Sequence, residues 1–201
     1  MEQIFTTLFT EAIALGWVQW MAFLTGLVYI FLIAKENPKG WLWGIVSCSL
    51  WAYVTFFDFL LYADTLLQLF YVGMGIWGWY QWRCDRSEND QPTLQPATWL
   101  KPITHFYIIL FGAILTLILG YFFDNYTPAA ATYLDSFVTV FSVIATVLLV
   151  WRKIDNWIYW IVIDTVSIYL FASRGGYLFA ILFVIYIAVS IIGFRKWRHL
   201  G

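Results

Sequence analysis

The stretch Trp-Leu-Trp-Gly-Ile-Val at residues 41–46 recurs 116 positions later in a similar form. The later stretch is Trp-Ile-Tyr-Trp-Ile-Val, at residues 157–162. At an offset of 115 positions, residues 82–83 (Trp-Arg) match residues 197–198. The second offset also aligns two further pairs, Tyr71 with Tyr186 and Gly78 with Gly193. Two collinear matches at nearly one offset predict an internal duplication, with one residue of slippage between the matched stretches.

The composition around these stretches is that of a membrane protein. Of the 201 residues, 62% are hydrophobic and only 11% are charged, whereas soluble domains have about 45–50% apolar and about 25% charged residues. Too few polar side chains remain to cover a water-facing surface, which excludes a soluble enzyme, a nucleic-acid-binding protein and a disordered chain. A net charge of −1 gives no reason to expect a polyanionic partner.

Long apolar runs have the length of membrane-spanning helices, because about 20 apolar residues cross the hydrocarbon core. A spanning segment must also satisfy its own backbone hydrogen bonds. We therefore predict an all-α integral membrane protein. Its seven spans cover roughly residues 13–33, 41–59, 65–82, 103–122, 131–151, 157–173 and 176–194.

The basic residues predict the orientation. With seven spans, the loops after the first, third and fifth spans lie on the side of the C-terminus. Ten of the eleven Lys and Arg residues fall on that side, and only Arg174 lies opposite. Since basic loops stay in the cytoplasm, we predict a cytoplasmic C-terminus and an external N-terminus.

The duplication and the span count together predict the domain organisation. Residues 1–83 form a first three-helix repeat, residues 84–130 a linker and connector helix, and residues 131–201 a second three-helix repeat. Corresponding helices are four spans apart, so both repeats insert in the same direction. Transporters with such parallel repeats place the substrate near the middle of the membrane. An old duplication in a receptor or a structural protein is the alternative.

Asp164 is the clearest candidate for a binding residue, because a charge in the membrane interior is costly and usually functional. It lies four residues after Trp160 and seven after Trp157, so the three share one helix face. Indole rings attract cations, and a carboxylate neutralises them. The alternatives are an interfacial anchor for Trp157 and a helix-packing hydrogen bond for Asp164. The equivalent positions in the first repeat are Trp41, Gly44 and Cys48.

Five further residues complete the predicted substrate-binding set. Gln68 is a polar group inside the third span, and Asp135 lies near the outer end of the fifth. Ser47, Tyr53 and Tyr169 are the others, and the two tyrosines correspond at the 116-residue offset.

Catalytic and metal-binding motifs are missing from the sequence. The two cysteines and two histidines are too scattered for a metal site, and no nucleotide-binding motif is present. We therefore expect no cofactor and no enzymatic activity. No chain of acidic and basic residues crosses the spans, so facilitated diffusion is the simplest mechanism.

Five stretches resemble the PnuC family of bacterial vitamin transporters over nearly the whole chain. The most specific is Asn-Trp-x-x-Trp at 156–160 with a polar residue four positions on. The others are residues 43–47, 66–70, 78–82 and 134–136. The resemblance implies a fold of three helices, a connector and three helices, similar to the SWEET sugar transporters. It also implies a trimer in the inner membrane, uniport, and trapping of the vitamin by a cytoplasmic kinase.

The same resemblance implies roles for single residues. Trp157 and Trp160 would stack on the substrate, Gln68 would make a polar contact, and position 164 would be a ligand. Members that carry nicotinamide riboside typically have Asn at this last position. Because a carboxylate accepts hydrogen bonds from an amino group, Asp164 favours thiamine, which has an exocyclic amine, with nicotinamide riboside as the alternative. A membrane subunit of an ATPase-driven vitamin importer is a further alternative.

Overall fold

The computed structural model describes residue 6 and residues 10–58, 62–83, 96–126 and 132–199. These residues are helical apart from turns, loops and one isolated bridge between Thr98 and Lys153. In chain order, the long helices of the described residues are α1 (Trp17–Ala34), α2 (Lys39–Tyr53, continued by the π-helical turn Val54–Asp58), α3 (Tyr62–Arg83), α4 (Pro102–Tyr126), α5 (Thr132–Val150), α6 (Asn156–Ser173) and α7 (Tyr177–Trp197). The all-α prediction is confirmed, and each predicted span falls on one of these helices.

Five of the helices are long and apolar enough to cross a membrane. They are α1, α2 with most of its π-helical turn, α4, α5 and α7. The other two are more polar: α3 contains Gln68, and α6 contains Asp164 and Asn156. The assignment of α3 and α6 as spans remains a prediction.

The chain divides into two compact units, residues 1–96 and 97–201. In the first unit, α2 packs against both α1 and α3. In the second unit, α6 packs against both α5 and α7, and α4 packs against α5. The predicted connector helix therefore belongs to the second unit, while the division of the chain into three parts remains a prediction.

The loop after α1 and the loop after α5 close in the same way. Glu36 and Arg152 are the non-glycine residues with positive φ in the described chain, at 61° and 54°. The amides of Glu36 and Asn37 donate to the carbonyls of Ile33 and Leu32, both at 2.9 Å, which is the Schellman pattern for ending a helix. The same two bonds recur 116 residues later, at 3.0 and 2.8 Å. This agreement supports the internal duplication.

In the first unit, a tryptophan of α2 packs on a glycine of α3. Trp41 is 1% exposed, and a Cβ at Gly78 would lie 2.5 Å from its ring. Trp82, one turn further along α3, meets Trp41 edge-on with ring centroids 5.4 Å apart and planes at 90°. Only glycine at position 78 leaves room for the indole at this distance.

The second unit repeats this packing at the aligned positions. Trp157 of α6 is 0% exposed, and a Cβ at Gly193 of α7 would lie 2.7 Å from its ring. Trp197 meets Trp157 edge-on, with centroids 5.4 Å apart and planes at 87°. The two offsets found in the sequence thus correspond to one repeated contact between neighbouring helices.

Candidate functional site

Asp164 lies in the interior of the second unit, on the helix α6 that contacts both α5 and α7. Its side chain is 2% exposed, and no hydrogen bond or ion pair to its carboxylate occurs in the part of the chain that the structure describes. Burying a carboxyl group without a partner is costly. A residue with this cost and no internal partner is typical of a binding site rather than of helix packing.

Trp157 and Trp160 share the Asp164 face of α6, as the spacing predicted. Each residue turns an α-helix by about 100°, which places the three residues within about 60° of each other. Within the described residues, the buried Nε1 atoms of both indoles lack a hydrogen-bond acceptor. The face therefore combines one acceptor carboxylate with two indole donors, none of them satisfied internally.

The two indoles differ in what covers them. Trp157 has no exposed surface in this conformation, because Gly193 and Trp197 cover its ring. Trp41 is covered in the same way in the first unit, which has no carboxylate at the position of Asp164. Stacking of a substrate on Trp157 would require this contact to open, so that role remains a prediction.

Trp160 is partly buried and packs against a cluster that includes Phe141 and Ala145. In the first unit the large and small side chains are exchanged at the aligned positions. Gly44 stands at the position of Trp160, and Tyr29 stands at the position of Ala145. The ring of Tyr29 fills the space above Gly44, where a Cβ would lie 2.8 Å from it. The two units thus differ in which helix carries the large aromatic group, and in the second unit it lies on the helix of Asp164.

Two other predicted residues of the second unit lie outside this face. The Asp135 carboxylate, at the start of α5, forms an exposed ion pair with Arg174 at 3.0 Å. Arg174 is the one basic residue that the sequence placed on the outer side. Tyr169 is 66% exposed and lies on a different side of α6.

The three predicted residues of the first unit have separate environments. The Ser47 hydroxyl is buried and donates to the Ala22 carbonyl of α1 at 2.7 Å. Gln68 of α3 is half-buried and makes no hydrogen bond within the described chain. Tyr53 is 51% exposed and packs on Phe57. Their roles in binding remain predictions.

A polar cluster at the N-terminal ends of α4 and α6 was not predicted from the sequence. The carboxylate of Asp155, 4% exposed, accepts a hydrogen bond from the Leu100 amide at 2.7 Å and lies 3.1 Å from His105 Nε2. His105 Nδ1 lies 3.0 Å from the Tyr159 hydroxyl, and the two rings stack with a centroid separation of 5.9 Å. His105 and Asp155 are 50 residues apart, so no local spacing could have predicted their contact. The available signal was that Asp155 is an acidic residue in a loop that also contains Arg152 and Lys153. Among the described residues, no group of three His, Cys, Asp or Glu side chains could hold a metal.

Substituting Asp155 with alanine is expected to destabilise the protein by about 2–3 kcal/mol. The change leaves the partly buried Leu100 amide and His105 Nε2 without an acceptor, and a hydrogen bond to a charged group contributes about 1.5–3 kcal/mol. Thermal unfolding in detergent measures the loss. Asp135→Ala is the matched control, because an exposed ion pair contributes about 0–1 kcal/mol. Equal losses in the two variants would contradict the role of Asp155.

Known proteins resemble the chain over nearly its whole length. The family model described as nicotinamide mononucleotide transporter matches residues 16–199. The nicotinamide riboside transporter PnuC of Escherichia coli (strain K12) is 26% identical, with 91% of this chain and 85% of that protein aligned. The riboflavin/roseoflavin transporter RibM of Streptomyces davaonensis is 23% identical, with 65% and 61% aligned. The crystal structure of the vitamin B3 transporter PnuC has the same fold, with a TM-score of 0.74, 23% identity, and 98% of this chain and 89% of that one covered.

Proposed function

Because the chain belongs to the nicotinamide mononucleotide transporter family, we propose that it carries nicotinamide riboside across the bacterial inner membrane. It is a multi-pass membrane protein of the PnuC family, and relatives of this family are named for nicotinamide riboside. None of the relatives described above is named for thiamine. They therefore favour nicotinamide riboside, the alternative in the sequence analysis, over thiamine.

The observation in the structure that supports a cationic substrate, and so nicotinamide riboside, is the buried carboxylate of Asp164, which has no partner among the described residues. Nicotinamide riboside carries a permanent positive charge on its pyridinium ring. An ion of opposite charge offsets the dehydration of a buried carboxylate, and a charge-assisted contact adds strength. The site is therefore suited to a cationic guest and unfavourable without one.

Trp160 would provide the second contact. It follows the same face of α6 one turn before Asp164, and its indole N–H lacks an acceptor among the described residues. A cation over an indole face gains about 2 kcal/mol or more when the pair is desolvated. We assign Trp160 rather than Trp157 to this contact, because the ring of Trp157 is covered.

The proposal includes the architecture that the sequence predicts. Seven spans would form two three-helix repeats in the same membrane orientation, with a connector and a cytoplasmic C-terminus. The repeated Schellman loops and the repeated Trp–Gly contacts support the duplication. A homotrimer and trapping of the vitamin by a cytoplasmic kinase follow from the family resemblance and belong to the same proposal.

We expect the purified chain in liposomes to equilibrate labelled nicotinamide riboside without ATP and without an ion gradient. In the described part of the chain, the paired titratable groups His105–Asp155 and Asp135–Arg174 do not form a chain along the helices that could carry a coupled proton. Uptake is measured with and without imposed sodium and proton gradients, and empty liposomes are the control. Accumulation above the external concentration driven by either gradient would contradict uniport. A requirement for a partner ATPase would instead favour the importer subunit.

Thiamine is the second candidate, and Asp164 is the observation that favours it. The resemblance places Asn at this position in nicotinamide riboside carriers, and a carboxylate suits the exocyclic amine of an aminopyrimidine better than an amide does. Calorimetric titration with nicotinamide riboside, thiamine and riboflavin, side by side, separates the candidates. Tighter binding of thiamine would make thiamine the proposed substrate, and the proposed binding site at Asp164 would stay the same.

A further inference from the structure

A groove of about 370 Å³ runs between α4, α5 and α6 in the second unit. Ile109, Phe137, Phe141 and Val162 are among the apolar side chains that line it. Ile109 and Val162 are 54% and 48% exposed, so the groove is open at the surface of this unit. In a membrane protein, an open apolar groove of this volume suits one acyl chain.

The groove is distinct from the Asp164 face. It is lined on α6 by Ile158, Tyr159, Val162 and Ile163. At about 100° per residue, Ile158, Tyr159 and Val162 lie about 100° or more from both tryptophans and Asp164, whereas Ile163 lies about 60° from Trp160. A molecule in the groove would therefore contact neither the carboxylate nor the covered ring of Trp157.

One end of the groove is lined by two side chains with polar groups, but the lining surface itself is almost wholly apolar. His105 and Tyr159 line it there, at the first turns of α4 and α6, where the loops rich in basic residues begin. The negative charge of Asp155 is directed inward, since its two oxygens interact with the Leu100 amide and His105. No carboxylate of this cluster is therefore free to repel an anion at the end of the groove.

Two lysines lie at the same end. Lys101, which is exposed, directly precedes α4, and His105 and Ile109 follow four and eight residues later on one face of that helix. The Lys153 ammonium donates to the Thr98 hydroxyl at 2.8 Å, which fixes it beside the segment leading into α4. The groove thus has an apolar lining, and two lysines lie in the segments next to the end that His105 and Tyr159 line.

We propose that this groove binds one acyl chain of an anionic phospholipid, whose phosphate contacts Lys101 and Lys153. Basic pockets between membrane helices bind the headgroups of acidic lipids. The apolar lining suits the acyl chain of a phospholipid. The two lysines, in the basic segments next to one end of the groove, suit its phosphate. Phe141 and Ile163 of the groove belong to the cluster on which Trp160 packs, but lipid binding does not depend on which vitamin is carried.

The test uses the full chain in nanodiscs with phosphatidylglycerol that carries a photoreactive group in one acyl chain. We expect labelling of peptides that contain residues 105–109, 137–141 and 158–163, and about tenfold weaker labelling by phosphatidylcholine of the same chain length. The double variant Lys101→Gln/Lys153→Gln should lose this preference. Lys35→Gln/Lys39→Gln, which removes two loop lysines of the first unit, should keep it.

Blocking the groove is the second arm of the test. Val162→Trp should reduce labelling of these peptides by both lipids, whereas Val184→Trp, on the exposed surface of α7, should leave it unchanged. Equal labelling by the two lipids in the wild type would reduce the site to ordinary bilayer contact and overturn the proposal. Absence of labelling, together with dissociation of an oligomer by Val162→Trp, would show that a second copy covers the groove and would also overturn it.

Discussion

Asp164→Leu should weaken binding of the cationic vitamin by at least about thirtyfold and, at the same time, raise the melting temperature of the protein. Removing one partner of a buried charge pair costs about 2–5 kcal/mol, and about 1.4 kcal/mol corresponds to tenfold in affinity. Without substrate, the carboxyl group is 2% exposed and has no partner among the described residues. Leucine has a similar size and removes that cost, so we expect a gain of about 1–3 kcal/mol.

Calorimetric titration and thermal unfolding of the same preparation measure the two effects. Asp135→Asn is the matched control, because it removes a carboxylate of the same unit that is paired with Arg174 at the surface. It should leave vitamin affinity within about threefold of the wild type, as expected for an exposed pair worth about 0–1 kcal/mol. If Asp164→Leu lowers the melting temperature and preserves binding, Asp164 is a packing residue and the site lies elsewhere.

Asp164→Asn separates the two candidate substrates. Asparagine keeps a hydrogen-bond acceptor at this position and removes the charge. According to the resemblance, nicotinamide riboside carriers have this residue, so the affinity for nicotinamide riboside should fall less than the affinity for thiamine. Thiamine binding should fall more strongly, because its amine loses the charge-assisted partner. Equal changes in affinity for the two vitamins would show that Asp164 does not distinguish between them.

The second large effect is expected at the repeated glycines. Gly78→Leu and Gly193→Leu should each cost about 3 kcal/mol or more of stability and reduce the yield of folded protein. A Cβ at these positions would lie 2.5 Å from Trp41 and 2.7 Å from Trp157, both of them rings that cannot move into free space. Overpacking of this kind costs about 1–3 kcal/mol for small insertions and more for larger ones.

Gly73 provides a matched control on the same helix as Gly78. A Cβ at Gly73 meets nothing within 4 Å, so Gly73→Leu should leave the melting temperature unchanged or raise it slightly through helix propensity. If Gly78→Leu does not fold, the milder Gly78→Ala is measured instead. Adding Trp41→Phe to Gly78→Ala should restore part of the lost stability. Equal effects at positions 73 and 78, or no rescue by the smaller ring, would contradict the packing argument.

Only one face of the candidate site could be predicted from the sequence. Helical periodicity correctly placed Asp164 with Trp157 and Trp160, because residues three, four and seven apart are neighbours in any α-helix. Periodicity does not say which helix covers that face. In the structure, Gly193 and Trp197 cover the ring of Trp157, and Trp160 is only partly covered. Asp135 forms an ion pair with Arg174.

The sequence by itself determined the membrane class and the helical fold and predicted the duplication, since these depend on local hydropathy and on matches along the chain. Tertiary structure alone decided which polar groups are satisfied. His105, Asp155 and Tyr159 come together across about 50 residues. Asp164 has no partner among the residues that the structure describes, although its helix is packed on two sides. A hydrogen bond needs two groups within about 3 Å in the right direction, and that condition is set by how helices pack.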